Sequence, residues 1–172
     1  MAHIIFVDEN DNQIGIGSKQ EAWKTGVRHR VSRIFLFNSK GEMLIQKRAD
    51  NRESLPGRWD QSAAGHVDEG ESYLEAANRE MNEEVGVQGV VLKEVGKNKT
   101  DERDEQDKIK NRYAMLYVAS YDRPVNFNQE EVSEVRWIKP DDLSKWMEEK
   151  PEEFTEGFIL NFRKLLELNV MP

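Results

Sequence analysis

Alternation of apolar and polar residues predicts that the first third of the chain folds as two hairpins and a loop. Residues 3–17 contain two short apolar runs around the turn-rich segment 8–12, a pattern typical of a hairpin. Residues 28–48 contain two further β-type runs, and the Asn and Gly between them suit a tight turn. Residues 54–66 are rich in Pro, Gly and small side chains, which predicts a loop that enters a short strand.

Helical periodicity begins in the middle of the chain. Between Glu69 and Val85, four apolar residues spaced by three and four positions predict one narrow stripe on a helix: Leu74, Ala77, Met81 and Val85. Gly86 is a natural residue to end that helix. Pro140 can open a second helix over residues 141–150. Thr155 can cap a third, whose apolar residues share a face: Phe158, Phe162, Leu165 and Leu166.

The remaining β-type runs lie between the internal helix and the terminal helices. They cover residues 89–96, 112–121 and 131–139, and the highly charged segment 100–108 is predicted to be a loop. At 172 residues one domain is the default. We therefore predict a single α/β domain over residues 1–172, in which residues 1–27 form an N-terminal hairpin extension.

Composition excludes several classes of function. The 33 acidic and 25 basic residues give a net charge of −8, which argues against a nucleic-acid polymer as partner, because its binders usually carry a basic stripe. The absence of cysteine excludes disulfides, thiolate zinc sites and a cysteine nucleophile. No apolar run reaches the roughly 18 residues that a membrane span needs, and the N-terminus does not resemble a secretory signal. We expect a cytoplasmic protein without a membrane partner.

Acidic residues concentrate on the internal helix. Between Asp68 and Glu84 seven carboxylates face one arginine, a local charge of −6. Helical spacing brings the side chains of Glu80, Glu83 and Glu84 into one arc. The simplest compensation for such repulsion is a hard cation such as Mg²⁺, which prefers carboxylate and phosphate oxygens. The alternative is an acidic helix face that is merely solvated.

Two residues near this arc strengthen the metal hypothesis. Arg79 can hold Glu71 or Glu83 through a planar bidentate contact. Gly65 precedes the helix, and its backbone carbonyl could serve as a further oxygen ligand where a side chain would obstruct the metal.

Residues 65–87 resemble the Nudix box, G-x5-E-x7-R-E-U-x-E-E-x-G-U, in which U is a bulky apolar residue. All nine defined positions match: Gly65, Glu71, Arg79, Glu80, Met81, Glu83, Glu84, Gly86 and Val87. The order of flanking strands and terminal helices extends the resemblance to about residues 28–168. It implies a Nudix α/β/α sandwich with a mixed β-sheet, to which the N-terminal hairpin and the C-terminal helices are added.

The resemblance also implies a chemistry for the box. Glu80, Glu83 and Glu84 would bind Mg²⁺ or Mn²⁺, assisted by the Gly65 carbonyl, and Glu71 and Arg79 would brace the loop against the helix. The family reaction is attack of water on phosphorus in a diphosphate linkage, often of a nucleoside diphosphate joined to another group. Such cations neutralise phosphate oxygens and lower the pKa of bound water, so that one carboxylate can accept its proton.

The identity of that base stays open between several carboxylates. Glu83 or Glu84 could serve from within the helix. Acidic residues outside it are alternatives: Asp101, Glu102, Asp104, Glu105, Asp107, Glu130 and Glu131.

The residues before the box resemble the Nudix branch that includes isopentenyl diphosphate isomerase, which moves a double bond with a cysteine and a glutamate. Ala64 occupies the position of that cysteine, and no other cysteine exists to replace it. Hydrolysis is therefore favoured. The alternatives are an isomerase-like enzyme acting on prenyl diphosphates and a non-catalytic sensor of a nucleotide-like ligand. The substrate stays undefined, and the N-terminal hairpin is compatible with a monomer or a homodimer.

Several residues around the box are candidates for substrate binding. His29 and His66 match metal ligands of that isomerase, so they could form a second metal site, contact phosphate or serve the structure. The guanidinium groups of Arg48, Arg52 and Arg58 could clamp a diphosphate. Trp59 could stack on a base or pack in the core.

Overall fold

A mixed nine-stranded sheet organises the computed structural model, which describes residues 2–172. The strands are β1 (Ile4–Val7), β2 (Gln13–Gly17), β3 (His29–Phe37), β4 (Met43–Arg48), β5 (Trp59–Asp60), β6 (Ala63–His66), β7 (Lys93–Arg103), β8 (Ile109–Ser120) and β9 (Val132–Ile138). The helices are α1 (Lys19–Thr25), α2 (Tyr73–Val85), α3 (Pro140–Glu149) and α4 (Glu156–Leu168). Within residues 2–172, none of the helices combines the length and the hydropathy that a membrane crossing requires.

Strand β3 lies at the centre of the sheet. It pairs with β8 in parallel along its whole length. On its other side it contacts three strands in turn, β1 at His29, β6 at residues 31–34 and β4 at Phe37, all antiparallel. Strands β5 and β9 both pair with β4, and β7 pairs with β8. Two apolar runs separated in sequence are thereby aligned side by side.

Alternating side chains of β3 contact opposite helical layers. Phe35 and Phe37 pack against α3 and α4 on one face, where Phe158 is fully buried. Ile34 and Leu36 pack against α2 on the other face. Because successive residues of a strand point to opposite faces, one apolar run supplies both cores. The predicted α/β/α sandwich with a mixed sheet is confirmed.

Capping side chains place the ends of α2 and reveal a helix that the sequence analysis did not predict. Helix α2 begins at Tyr73, not at Glu69, because Ser72 and Glu75 form a capping box that satisfies the first backbone N–H groups. Gly86 ends it in the left-handed conformation, as predicted. The additional helix, α1, follows the N-terminal hairpin and begins after Ser18, whose side chain accepts a hydrogen bond from the backbone N–H of Glu21.

The prediction of a loop over residues 100–108 is confirmed for residues 104–108 and wrong for residues 100–103. Strand β7 continues to Arg103, and a tight turn then leads into β8. The charged residues remain in strands because they are paired: Arg112 donates to both carboxylate oxygens of Glu102 (2.8 and 2.7 Å), and Arg28 donates to Asp101 (2.6 Å). A strand is ordinarily identified from alternating apolar residues. Here paired charged residues occupy those positions, so the sequence pattern did not reveal this part of β7.

Three smaller predictions also fail. The strand expected over residues 89–96 begins only at Lys93. Leu74 and Leu166 are exposed, so neither belongs to the buried face that its helical spacing predicted. In α4 the side chains of Leu165 and Leu168 face the core, which leaves Leu166 turned towards solvent.

The N-terminal hairpin is fastened to the sandwich through Asp11. Its carboxylate accepts hydrogen bonds from Arg30 Nε (2.7 Å), Lys97 Nζ (2.5 Å) and the Tyr73 hydroxyl (2.9 Å). Arg30 also donates to the Asp11 backbone carbonyl (2.6 Å). One partly buried carboxylate thus joins the hairpin to β3, β7 and α2.

Asp11→Asn should lower the free energy of unfolding by about 1–3 kcal/mol, because it removes the charge that these partners share. The matched control is Asp107→Asn, at an exposed ion pair, which should change stability by less than about 0.5 kcal/mol. Both residues have a positive φ, which Asn tolerates as well as Asp. Urea unfolding measures both effects, and equal stability losses would contradict this role of Asp11.

Candidate active site

Arg79 on α2 joins the elements that form the site. Its Nε and Nη2 donate to the two carboxylate oxygens of Glu71 (2.6 and 2.9 Å), and Nη2 also donates to the backbone carbonyl of His66 (3.0 Å). Its Nη1 donates to Glu80 (2.6 Å) and Glu83 (3.3 Å). These partners, Glu71 foremost, raise the pKa of Arg79. One guanidinium therefore fixes strand β6, the following loop and helix α2 together.

Glu80 and Glu84 are carboxylates that the fold removes from water. Glu84 is 2% exposed, and its Oε1 accepts a hydrogen bond from the backbone N–H of Ala64 (2.8 Å). Burial, and then the charge of Glu80, raise the pKa of Glu84 well above its usual range. Burial also raises the pKa of Glu80, where Glu131 adds to the rise and Arg79 opposes it.

Gly65 is required by a close approach between β6 and α2. A Cβ at this position would overlap the carboxyl group of Glu80. Its missing side chain lets the backbone of β6 lie directly against that carboxylate.

The donors present suit a hard divalent cation. They are carboxylate oxygens, which Mg²⁺ prefers as ligands, and two of the carboxylates belong to Glu80 and Glu84, whose pKa values burial raises. The side chain of Glu83 is 49% exposed and accessible. Within residues 2–172, however, no three His, Asp or Glu side chains are already grouped as a metal site, because Arg79 engages Glu80 while Ala64 engages Glu84. A cation would have to displace part of the Arg79 contact.

A cavity of about 350 Å³ opens beside Ala64, Gly65 and His66. Six basic side chains line it: Lys19, Arg33, Arg48, Arg52, Lys110 and Arg112. The acidic side chains in its lining are Glu53, Asp60 and Glu130. Although the chain as a whole is negatively charged, this cavity beside its most acidic helix is basic. An excess of cationic side chains in a concave site attracts anions.

Some of the predicted substrate contacts lie at this cavity and others do not. Arg48 and His66 line it. Arg58 does not, because its guanidinium is held by Glu105 and by the backbone carbonyl of Phe154 (3.3 Å). Trp59 is buried in the core with its ring centroid 5.6 Å from that of Trp146, so it packs and does not stack on a ligand there. Neither residue lines this cavity, and a substrate role for them stays a prediction.

Four of the six basic lining residues were not identified from the sequence: Lys19, Arg33, Lys110 and Arg112. Arg33 directly precedes the apolar residues 34–37 of β3 and shares the parity of Phe35 and Phe37, a signal that could have identified it as an inward-facing charge. Lys110 and Arg112 belong to the segment around the supposed loop. They lie near the box because β8 pairs with β3.

His29 and His66 form a close pair with ring centroids 5.3 Å apart. Burial lowers the pKa of His29 to about 3 and that of His66 well below its usual range, and the charge of Arg112 contributes to both shifts. His29 Nδ1 lies 3.2 Å from the Val27 carbonyl, and the Nε2 atoms of both rings have no hydrogen-bond partner in the described chain. Both rings are therefore neutral, which is the form that ligates metal ions, although the charge of Arg112 opposes a cation beside them.

The candidate bases differ in their surroundings. Every acidic residue named in segment 101–107 is held by a basic side chain: Asp101 by Arg28, Glu102 by Arg112, Asp104 by Lys110, Glu105 by Arg58 and Asp107 by Arg103. Glu131 is likewise held, by Arg52 (3.2 Å) and Asn128 (3.2 Å), but its charge contributes to the raised pKa of Glu80. Glu130 lines the cavity. These relations to the box and the cavity distinguish residues 130–131 from segment 101–107.

Comparisons with known proteins agree with this geometry. The family model described as NUDIX domain matches residues 27–158. An uncharacterised Nudix hydrolase of Pseudomonas aeruginosa, PA4841, is 36% identical over 138 residues, covering 80% of this chain and 79% of that protein. An isopentenyl-diphosphate Delta-isomerase of Burkholderia multivorans is 34% identical over 155 residues, covering 90% and 88%. The crystal structure of DR0079 from Deinococcus radiodurans has the same fold, with a TM-score of 0.80, 23% identity and coverage of 94% and 98%.

Gly65→Ala should lower the free energy of unfolding by about 1–3 kcal/mol, because the added methyl group must displace Glu80. Gly15→Ala is the matched control, since a Cβ at Gly15 meets no atom within 4 Å. Thermal unfolding of both variants checks this, and equal stability of the two would contradict the close approach.

Lys110 provides a pH test of the cavity. It is buried between Ser54 Oγ (2.6 Å) and Asp104 (3.1 Å), and burial, aided by Arg112, lowers its pKa to about 8. Because the unfolded chain keeps this proton up to the ordinary pKa of 10.5, the penalty for burying the ammonium is complete below pH 8 and disappears between pH 8 and 10.5.

The stability of the wild type relative to Lys110→Met should therefore rise by up to about 3 kcal/mol from pH 8 to pH 10.5. Urea unfolding at a series of pH values measures the difference. A difference that stays constant over this range, or that falls, would contradict the depressed pKa.

Proposed function

The chain belongs to the Nudix family, a family of pyrophosphohydrolases that generally require divalent metal ions, and we propose that it hydrolyses a diphosphate linkage in a small molecule with Mg²⁺ or Mn²⁺. One observation carries the proposal: Arg79 holds three box carboxylates, Glu71, Glu80 and Glu83, and the backbone N–H of Ala64 holds the fourth, Glu84, directly beside a cavity with an excess of basic side chains. Carboxylates at a cation site and guanidinium groups next to it are complementary to a diphosphate.

Glu80, Glu83 and Glu84, with the Gly65 carbonyl, are the groups that would hold the cation. When bound, it neutralises phosphate oxygens and activates water for attack. Arg79 and Glu71 keep these oxygens in position by joining the loop to the helix. We assign these two residues a positioning role.

The basic side chains that line the cavity would orient the substrate. Arg48 and Arg52 line the cavity, where their guanidinium groups can bind the diphosphate oxygens in bidentate fashion. Arg48 is already oriented by the Ser54 carbonyl (3.0 and 2.8 Å) and by Asp60 (3.6 Å). Prior orientation of this kind reduces the entropy lost when a substrate binds.

Glu131 is the group to which we assign the water proton. It reaches the vicinity of Glu80 from a segment outside the box, and Asn128 and Arg52 hold its carboxylate. A general base must lie within reach of the attacking water, which would be held at the box.

Isomerisation of a prenyl diphosphate lacks a necessary group. The isomerase of Burkholderia multivorans is similar along most of the chain, but the position of the isomerase cysteine is Ala64, and the chain contains no cysteine. At Ala64 only the backbone N–H acts on the site, as a donor to Glu84. The proton donor for double-bond migration is therefore missing.

Glu83→Gln should lower metal-dependent hydrolysis by at least about 100-fold while the fold is retained, because it removes a ligand charge and preserves shape. Glu148→Gln, at an exposed position of α3, should leave turnover unchanged. Phosphate release from nucleoside diphosphate conjugates and prenyl diphosphates, with Mg²⁺ and with a chelator, measures both.

Circular dichroism should give the same spectrum for the two variants and the wild type. Undiminished turnover of Glu83→Gln would remove Glu83 from the site. Absence of metal-dependent hydrolysis in the wild type, on every substrate of the screen, would favour a sensor of nucleotide-like ligands.

A further inference from the structure

Arg33 is a buried cation that lacks a carboxylate partner. It is 4% exposed, and no Asp or Glu oxygen of the described residues lies within 4.0 Å of its guanidinium. Nη1 donates to the amide oxygen of Gln61 (2.8 Å), while Nε has no hydrogen-bond partner in the described chain. The other five basic residues that line the cavity differ in this respect, because each has an acidic partner: Glu53 for Lys19, Asp60 for Arg48, Glu131 for Arg52, Asp104 for Lys110 and Glu102 for Arg112.

Such a group costs free energy in the absence of a ligand. Burial, and then the charge of Arg112, lower the pKa of Arg33 to about 10. Removing a charge from water is expensive unless a partner of opposite sign compensates it, and an apolar residue at such a position is often the more stable choice. Asp60 and Glu102 oppose the decrease in pKa, but neither contacts the guanidinium of Arg33, so an anion from outside could compensate its charge directly.

The surroundings of Arg33 concentrate positive potential at one point. A Cβ on Gly157 would lie 2.5 Å from Arg33 Nη2 and 3.1 Å from Arg112 Nη2, so both guanidinium groups end at this glycine. Gly157 belongs to the first turn of α4, a helix of 13 residues. The N-terminal turn of a helix carries a partial positive charge and favours anions.

This point lies in the same cavity as the box but on a different face of the sheet. Arg33 pairs with Ala64 across β3 and β6, and both residues line the cavity, as Gly157 does. Side chains of β3 alternate, and Arg33 shares the α4 face with Phe35, whereas the box carboxylates are on α2. The cavity thus has a box end and a second cationic end.

We propose that the substrate carries a second anionic group, a phosphate monoester or a carboxylate, in addition to its diphosphate, and that Arg33 and Arg112 bind it at the α4 end of the cavity. The presence of a diphosphate in the substrate rests on the function proposed above. The anion site itself rests on Arg33, Arg112 and Gly157. An apolar prenyl chain in this place would leave Arg33 buried and unpaired, so the same residues select against prenyl diphosphates.

Binding of inorganic phosphate tests the site without any hydrolysis. Calorimetry without metal is carried out on the wild type, Arg33→Met, Arg33→Lys and Arg163→Gln, the last at an exposed position of α4. Arg33→Met should weaken phosphate binding by at least about tenfold, whereas Arg33→Lys should retain most of it, because a cation remains. Arg163→Gln should match the wild type. Equal affinities of the wild type and Arg33→Met would overturn the proposal.

Thermal unfolding separates this role from a structural one. Without phosphate, Arg33→Met should melt at or above the wild-type temperature, because it removes an uncompensated buried charge. Phosphate should then stabilise the wild type more than the variant. A clear loss of stability in Arg33→Met, together with an unchanged response to phosphate, would assign Arg33 to the structure alone.

Two pairs of matched substrates identify the anionic group. UDP-glucuronate and UDP-glucose differ by a carboxylate, and coenzyme A and its 3′-dephospho form differ by a phosphate monoester. In at least one pair, the wild type should favour the more anionic member by about tenfold in kcat/KM, and Arg33→Met should bring that ratio close to one.

Failures of the two proposals are distinguishable. Phosphate binding that depends on Arg33 without hydrolysis of any substrate would support the anion site and refute the proposed hydrolysis. Hydrolysis that shows no preference in either pair would overturn the second anionic group as part of the substrate.

Discussion

Compensation of buried carboxylates by Arg79 is the interaction on which the site depends. Its guanidinium contacts Glu71, Glu80, Glu83 and the backbone of β6, and so it fixes the loop before α2 as well as the helix. A charge of −6 remains between Asp68 and Glu84 after Arg79 is counted. Burial of Glu80 and Glu84 raises their pKa values, and the concentration of carboxylates is the physical reason for expecting a divalent cation at the box.

The sequence predicted the parts of this arrangement that depend on local spacing. The match of the box, the left-handed Gly86 and the two-sided apolar run of β3 could all be identified from residue order, because each reflects a helix or strand period. The continuation of β7 could not, since Glu102 and Arg112 fill inward positions as a charged pair. The basic cavity was also not predicted, because its residues meet only through the pairing of β3 with β6 and β8.

An acidic helix and a basic cavity lie side by side in this protein. The net charge of −8 does not reveal this separation of charges. Helix α2 presents the carboxylates, while β3, β4 and β8 supply guanidinium and ammonium groups to the cavity beside them. Most of these cations have a neighbouring carboxylate, which orients them and offsets part of the cost of their burial. Arg33 is the exception, and its position suggests that part of the charge balance of the cavity comes from the ligand.

Hydrolysis in ¹⁸O-labelled water tests the central claim most directly. UDP-glucuronate is incubated with the protein and Mg²⁺, and the products are analysed by mass spectrometry. Attack of water on phosphorus predicts cleavage of the diphosphate with one ¹⁸O atom in a phosphate product, and no reaction when the cation is chelated. Phosphate products without ¹⁸O, or with the label in the glucuronate alone, would contradict a chain that directs water at phosphorus.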